Sequence, residues 1–290
     1  MPLLHVGVGG PEWLDWALHP EAILLCLALE AAYLYAITEL RPRISDAARV
    51  RGSQQTLFHL GVLVLFIAGG TPIHDLGEDY LLSAHMFQHL LLTLVAPPLL
   101  LAGTPAWVWQ ALLRLPRVMP VARLLVLPLV AFSLFNAVQV LTHLPPTVDL
   151  ALRVGAFHFF VHAVLVVSGL IMWWPVISSV PELPRLSYPL QMGYLFVQSL
   201  LPAVLASFVT FSDGVVYQAY EEAPRIWGIS AVDDQRIAGG LMKLLGSLIL
   251  WSFIAVAFFK WYQREEAEAR GLPWPEVEEE LDRLGLQPKP

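Results

Sequence analysis

The sequence has a single cysteine, Cys26, among its 290 residues. One cysteine cannot form an internal disulfide, and it excludes every Cys-x-x-Cys redox or metal motif. Charged residues are also scarce at 14% of the chain, whereas hydrophobic residues make up 57% and the mean hydropathy is +0.61. Soluble globular domains average about 25% charged residues. The composition therefore excludes an ordinary soluble protein and predicts an integral membrane protein.

Basic residues are missing from the start of the chain and are outnumbered by acidic ones overall. Met1–Pro20 contains no Lys or Arg, so a cleavable signal peptide is not expected. The formal net charge is -7, and the acidic residues collect in loops and near the C-terminus. This charge balance argues against a nucleic-acid partner.

Long apolar runs predict an all-α fold. A helix needs about 20 apolar residues to cross a bilayer, and the sequence offers seven such windows. We therefore expect a polytopic helical bundle with seven transmembrane helices. The predicted spans cover residues 21–39, 54–70, 80–102, 121–142, 151–175, 189–211 and 237–261.

The positions of the arginines predict how the chain is oriented. Lys and Arg concentrate on the cytoplasmic side of membrane proteins, and here they fill residues 41–51, 114–123 and 260–289. We therefore expect the N-terminus outside and the C-terminus in the cytoplasm. The predicted organisation is a short extracytoplasmic segment (1–20), a transmembrane domain (21–262) and a charged cytoplasmic tail (263–290).

Prolines inside the predicted spans indicate where helices bend. A proline frees a carbonyl oxygen of the preceding turn and bends the helix axis. Pro128 and Pro202 are expected to be tolerated, as prolines often are in membrane helices. Two successive prolines, Pro97 and Pro98, predict a break near the cytoplasmic third of the third span.

Two histidine pairs, His85/His89 and His158/His162, are the main indication of function. Each pair has the i, i+4 spacing that places both rings on one side of a helix. Both pairs lie in the outer half of their predicted spans, at similar depth. Ionisable groups inside a membrane are energetically unfavourable and usually functional, and imidazole is the commonest metal ligand. We therefore predict a metal site made by these four histidines.

Other residues are secondary candidates for the same site. A single membrane histidine more often joins two helices by a hydrogen bond than it binds a metal. Methionine usually fills gaps in a core, although its thioether favours Cu(I). A carboxylate midway along a span must be neutral, paired or hydrated. The secondary candidates are His143, His74, Met86, Met242 and Glu30.

Several short motifs lie in the predicted spans and the loops between them. They are His85-Met86-Phe87-Gln88-His89, Ala96-Pro97-Pro98, Gly103-Thr104-Pro105, His143-Leu144-Pro145, His158 to His162 with Trp173-Trp174-Pro175, and Asp234-Gln235 with Gly239-Gly240. Together these motifs resemble the CtaG-type cytochrome c oxidase assembly factors, a family of seven-helix membrane proteins, and the resemblance covers about two thirds of the chain. The chain departs from the family pattern at Val161, where family members often carry a carboxylate.

The resemblance implies a multi-pass protein of the bacterial plasma membrane that matures a haem-copper oxidase at its copper-loading step. On this hypothesis the histidines bind copper transiently, no covalent reaction is catalysed, and the partners are oxidase subunits and an extracytoplasmic copper donor. Two alternatives stay open from the sequence. One is a metal-free scaffold for oxidase subunits, and the other is a b-type cytochrome whose haem has two histidine ligands.

Overall fold

We describe the protein from a computed structural model, which describes residues 5–6, 16–44, 49–271, 278 and 281–283. Most of the predicted N-terminal segment and most of the predicted tail lie outside these residues. In the described part all regular secondary structure is helical except for two short antiparallel strands. These are β1 (His5–Val6) and β2 (Trp16–Ala17), of two residues each. The helices are α1 (Pro20–Tyr35), α2 (Gly52–Gly70), α3 (Pro72–Asp79), α4 (Leu82–Leu90), α5 (Ala96–Gly103), α6 (Ala106–Leu113), α7 (Val118–Leu125), α8 (Pro128–Thr142), α9 (Pro145–Arg153), α10 (Gly155–Ile177), α11 (Tyr188–Phe211), α12 (Gln218–Glu222) and α13 (Ala231–Gly271).

Six of the described helical segments are long and apolar enough to cross a membrane. A seventh is obtained only if the bent pair α7 and α8 counts as one span. The predicted all-α fold is therefore confirmed, with six to seven candidate membrane spans. The six segments are Pro20–Arg43, Gly52–Gly70, Leu82–Gly103, Gly155–Ile177, Tyr188–Phe211 and Ala231–Glu268.

The fourth predicted span, residues 121–142, is not the single helix with Pro128 inside it that we expected. α7 and α8 meet at an angle of 80°, and Leu127 between them has an extended backbone with ψ 129. A residue before proline avoids the helical region because it clashes with the proline ring, so α8 starts at Pro128. α8 alone has 15 residues, about 22 Å at 1.5 Å per residue. Pro202, by contrast, lies inside α11 as predicted.

The prolines of the third span do not break it as expected. A π-helical turn, Leu91–Val95, joins α4 to α5 and carries the chain through Pro97 and Pro98. Pro97 leaves the carbonyl of Thr93 without its usual helical donor, and Nε1 of Trp173 donates to that oxygen at 3.1 Å. A Cβ on Gly169 would lie 3.0 Å from the same oxygen. The glycine therefore lets α10 approach closely enough for Trp173 to donate a hydrogen bond to the Thr93 carbonyl.

The span made by α4 and α5 lies at the centre of the bundle. It packs against α2, α10 and α13, and 72% of its most apolar stretch is buried, compared with 17% for α1. Large apolar side chains elsewhere face outward, among them Leu129, Phe211 and Leu244. In a membrane these surfaces contact lipid rather than water. The most buried span is also the one that carries His85 and His89.

The two ends of the bundle differ in composition. One end, which we call the histidine end, is formed by residues 71–81, 143–154 and 212–230, including α3, α9 and α12. The opposite end contains residues 41–44, 49–51, 104–127 and 178–187, where most of the loop arginines lie. The sequence predicts that the histidine end faces the outside.

Candidate metal centre

The four central histidines, His85, His89, His158 and His162, face one another across α4 and α10. Within each helix the paired rings are 4.3 Å and 4.2 Å apart between centroids, as the i, i+4 spacing requires. Between the helices, His85 stacks on His158 at 5.4 Å, and His89 lies 5.4 Å from His162. The structure therefore brings both predicted pairs into one cluster.

The ring nitrogens of this cluster are short of hydrogen-bond partners. Nδ1 of His85, both nitrogens of His89, and Nε2 of His158 and of His162 are buried without a partner among the described residues. His85, His89 and His158 are at most 4% exposed. A buried polar atom without a partner is unfavourable by about 1–3 kcal/mol. Each neutral ring has one lone-pair nitrogen, so the cluster can offer up to four lone pairs to a ligand that accepts them.

Three of the central histidines can reach one metal ion. Ligand nitrogens of His85, His158 and His162 all lie within 4.8 Å of one another. Three nitrogens spread evenly around one ion at about 2.0–2.1 Å lie about 3.5–3.6 Å apart. The nitrogens therefore have to approach one another by about 1.3 Å at most, which side-chain rotations allow.

A carboxylate that the sequence analysis did not select, Glu78, orients this cluster from α3. Its Oε1 lies 3.1 Å from Nδ1 of His158, and its Oε2 lies 3.3 Å from Nε2 of His74. A carboxylate on Nδ1 holds the proton there, so Nε2 of His158 keeps its lone pair for a metal. His74, Glu78 and His158 also form a second group with ligand atoms within 4.8 Å. The i, i+4 spacing of His74 and Glu78 is the signal in the sequence that could have found this carboxylate.

The charge of Glu78 is stabilised by its histidine neighbours. Burial raises the pKa of Glu78, but the hydrogen bonds that His158 and His74 donate outweigh burial and hold the pKa well below its usual range. Asp79, beside it, has a raised pKa because burial and the charges of Glu78 and Asp75 disfavour its ionised form. One carboxylate at the site is therefore kept ionised.

Short contacts fix the position of α3 over the cluster. A Cβ on Gly77 would lie 2.9 Å from Cα of His85, so only glycine lets α3 pack on α4 at this level. The Tyr220 hydroxyl donates to the carbonyl of Gly77 at 2.5 Å. On the other side of Glu78, Nδ1 of His74 accepts from the amide of Gln88 at 2.7 Å. This leaves Nε2 of His74 as the donor to Glu78.

A family model described as cytochrome c oxidase caa3 assembly factor (Caa3_CtaG) matches residues 31–264. The chain belongs to this family. All four central histidines and Glu78 lie within the matched region, whereas His19 and Glu30 precede it.

Two relatives of the chain come from mycobacteria. Each is described as an uncharacterised protein, one from Mycobacterium bovis and one from Mycobacterium tuberculosis, and each is 27% identical over 228 residues. The alignments cover 72% of this chain and 34% of each relative, so the chain spans about a third of their length. No solved structure matches the chain.

Within this member of the caa3 assembly factor family, the Asp234-Gln235 motif connects α13 to α4, the helix that carries His85 and His89. Asp234, which is 1% exposed, accepts from the backbone N–H groups of Leu82 and Ser83 at 2.7 Å and 3.2 Å and from the Ser83 hydroxyl. The first N–H groups of a helix have no partner within the helix, so this carboxylate caps α4 from outside. Gln235 accepts from the N–H of Val216 at 2.6 Å.

The chain has Val161 where family members often carry a carboxylate, but the histidine cluster still has a carboxylate beside it. Val161 is buried at 5% exposure on α10. The carboxylate that contacts His158 comes instead from Glu78 on α3. The assembly factor's histidine cluster therefore has an acidic neighbour supplied by a different helix.

The secondary candidates separate into three places. His74 belongs to the Glu78 group. His143, Met86 and Met242 lie beside His89, around a cavity of about 40 Å³ that we call the chamber. Glu30 lies apart from the cluster, where its Oε2 is 2.8 Å from Nδ1 of His59.

A second cavity, which we call the groove, opens on the other side of the cluster. It has a volume of about 690 Å³. His158 and His162 form part of its polar end with His74 and Glu78, and the rest of its lining is mainly apolar, including Leu29, Phe159 and Leu170. Among the described residues the groove and the chamber share no lining side chain. The histidine cluster therefore separates two cavities.

Proposed function

We propose that this protein is an assembly factor that binds Cu(I) through His85, His158 and His162 and delivers it to a haem-copper cytochrome c oxidase. The observation that carries the proposal is the group of five buried, unpartnered ring nitrogens on the four central histidines. Membership of the oxidase assembly factor family supports the choice of partner.

The surroundings of the cluster favour a monovalent copper ion. Imidazole nitrogens bind copper, zinc and iron alike. The ligands therefore do not select the metal, and we compare the net charge that each ion would give the site. An ion inside a membrane is strongly disfavoured in proportion to its uncompensated charge. Cu(I) bound by three neutral imidazoles beside one carboxylate, Glu78, has no net charge, whereas a divalent ion keeps one positive charge.

The groove supports a route for transfer. His158 and His162 line it directly, so an ion held there is reachable by ligands of a docked oxidase subunit or copper donor. The arginines at the opposite end of the bundle support an arrangement with the histidine end outside and the C-terminus in the cytoplasm of a bacterial plasma membrane. The ion then moves between ligands at one depth, and the protein performs no covalent chemistry.

Copper binding by purified full-length protein tests the proposal. We expect wild-type protein in detergent to retain Cu(I) in competition with a chromogenic chelator. Loss of a residue that only supports a metal ligand lowers metal affinity by roughly 10–100-fold. His158→Gln and His162→Gln remove a ligand itself, so each should lower Cu(I) affinity by more than that. His59→Gln is the matched control, because His59 also lies in a span but pairs with Glu30 away from the cluster.

Oxidase maturation in cells separates this function from the two alternatives. In a strain lacking the native gene, the two cluster variants should fail to restore the copper content of the oxidase, while His59→Gln restores it. Full restoration by every histidine variant would establish the metal-free scaffold instead. A haem absorption spectrum in the purified protein would establish the cytochrome alternative.

A further inference from the structure

The chamber on the far side of the cluster contains a second set of metal-ligating groups. His89, His143, Met86 and Met242 all line it. Met86 and His89 lie on one face of α4 because they are three residues apart. His143 comes from the end of α8 and Met242 from α13, so three helices contribute to the same small cavity.

His89 is positioned between this chamber and the three-histidine group. Its ring lies 4.3 Å from that of His85 and 5.4 Å from that of His162. On the other side it lies 5.3 Å from His143. Both of its ring nitrogens are buried without a partner. A neutral ring carries the proton on one nitrogen and a lone pair on the other, so His89 has one lone pair to give to an ion.

His143 is held in the form that binds a metal through Nε2. Its Nδ1 lies 2.7 Å from the backbone carbonyl of Gln139, an acceptor, so Nδ1 carries the proton. The lone pair of His143 is therefore on Nε2. The Tyr217 hydroxyl donates to the carbonyl of His143 at 3.1 Å, which fixes the backbone at this position.

The chamber contains unpartnered polar groups although it lies among membrane spans. Oε1 of Gln139 and Nε2 of Gln198 are buried without partners, and both side chains line it. A water needs about 10–15 Å³ of such volume, so about 40 Å³ accommodates an ion together with water. Met86 is 1% exposed and also packs in an apolar cluster with Tyr217, in which Met242 takes part. Its thioether is therefore held in place beside the chamber.

We propose that His89, His143, Met86 and Met242 form a second Cu(I) site. The protein then holds two copper ions, one on each side of the cluster. The inference rests on the proposed function, since it adds a site to the same copper route. Two thioethers and two neutral imidazoles make a soft ligand set without charge, and it favours Cu(I) because Cu(I) keeps one positive charge there while a divalent ion keeps two. The groove side then carries a nitrogen-only site and the chamber side a mixed nitrogen and sulfur site.

Copper stoichiometry and X-ray absorption of the fully loaded, full-length protein test this inference. Wild-type protein should bind two Cu(I) per chain, with sulfur in the copper coordination shell. Met242→Leu and the double variant Met86→Leu/Met242→Leu should each bind one Cu(I), and the double variant should show nitrogen ligands only. Leucine preserves side-chain volume closely, so folding is maintained. Met172→Leu is the control, because Met172 is equally buried but lies in a different core cluster.

The reverse experiment removes the groove-side ligands. His158→Gln/His162→Gln should keep one Cu(I), now with a larger share of sulfur in its shell. One Cu(I) in wild-type protein without sulfur would overturn the second site and leave the proposed function standing. Two Cu(I) in the double methionine variant would also overturn the second site. No copper in wild-type protein would overturn both.

Discussion

The Glu78 carboxylate lies 3.1 Å from Nδ1 of His158, and this contact joins two segments that are 80 residues apart in sequence. It sets which ring nitrogen of His158 carries the proton. Nε2 then keeps its lone pair, so the contact leaves that nitrogen able to accept a ligand.

Removing the charge of Glu78 should weaken copper binding without abolishing it. We expect Glu78→Gln to lower Cu(I) affinity by about 10–100-fold, as loss of a supporting carboxylate commonly does. The number of ions bound at saturation should not change. Competition titration measures both quantities. Glu21→Gln is the control, because Glu21 lines the same groove but lies beside His19; an equal loss in both variants would contradict the role of Glu78.

Asp234 should contribute to stability through the start of α4. Asp234→Ala leaves the N–H groups of Leu82 and Ser83 without their acceptor, which is expected to lower the free energy of unfolding by about 0.5–2 kcal/mol. The measurement is the thermal unfolding midpoint in detergent. Asp213→Ala, in the loop between α11 and α12, should leave the midpoint unchanged. An unchanged midpoint for Asp234→Ala would show that α4 needs no cap from α13.

Gly77 should be required for the close packing of α3 on α4. In Gly77→Ala the new Cβ meets the backbone of His85 at 2.9 Å, so the two helices have to separate. We expect a lower unfolding midpoint and weaker Cu(I) binding, although alanine favours helices over glycine by about 1 kcal/mol. Gly240→Ala is the matched control in a helix, since nothing lies within 4 Å of its added Cβ. Normal copper affinity in Gly77→Ala would refute the packing argument.

Trp173 should stabilise the proline-containing span by satisfying the Thr93 carbonyl. Trp173→Phe keeps an aromatic ring but removes the N–H donor, leaving a buried acceptor without a partner. The expected loss is about 1–3 kcal/mol of unfolding free energy, measured by denaturation in detergent. Trp251→Phe, at a position that is 50% exposed, should have little effect. Equal effects at the two positions would mean that the hydrogen bond to Thr93 contributes nothing.

Sequence patterns were sufficient for six of the seven predicted spans and for the paired histidines. Apolar windows depend on local composition, and an i, i+4 spacing fixes a helix face whatever surrounds it. The prediction for Pro128 was wrong because a proline's neighbours decide whether a helix bends or ends there. The break expected at Pro97 was also wrong, since a π-helical turn and Trp173 carry the chain through it.

Glu78 was missed because its role depends on a contact made in space. Nothing in residues 72–79 shows that α3 folds back onto α4. That placement needs Gly77 against His85 and Tyr220 from a segment 143 residues away. The separation of the chamber from the groove likewise depends on side chains from several helices.

The sequence by itself determined that this protein is a helical membrane protein and that each of two helices presents two histidines on one face. Hydrophobic length and helical periodicity are local properties, so they can be read without knowing the fold. Only the tertiary structure decided that the two faces meet, that Glu78 joins them, and that His89 lies between two cavities. Those relationships arise from packing between distant segments, which no local pattern specifies.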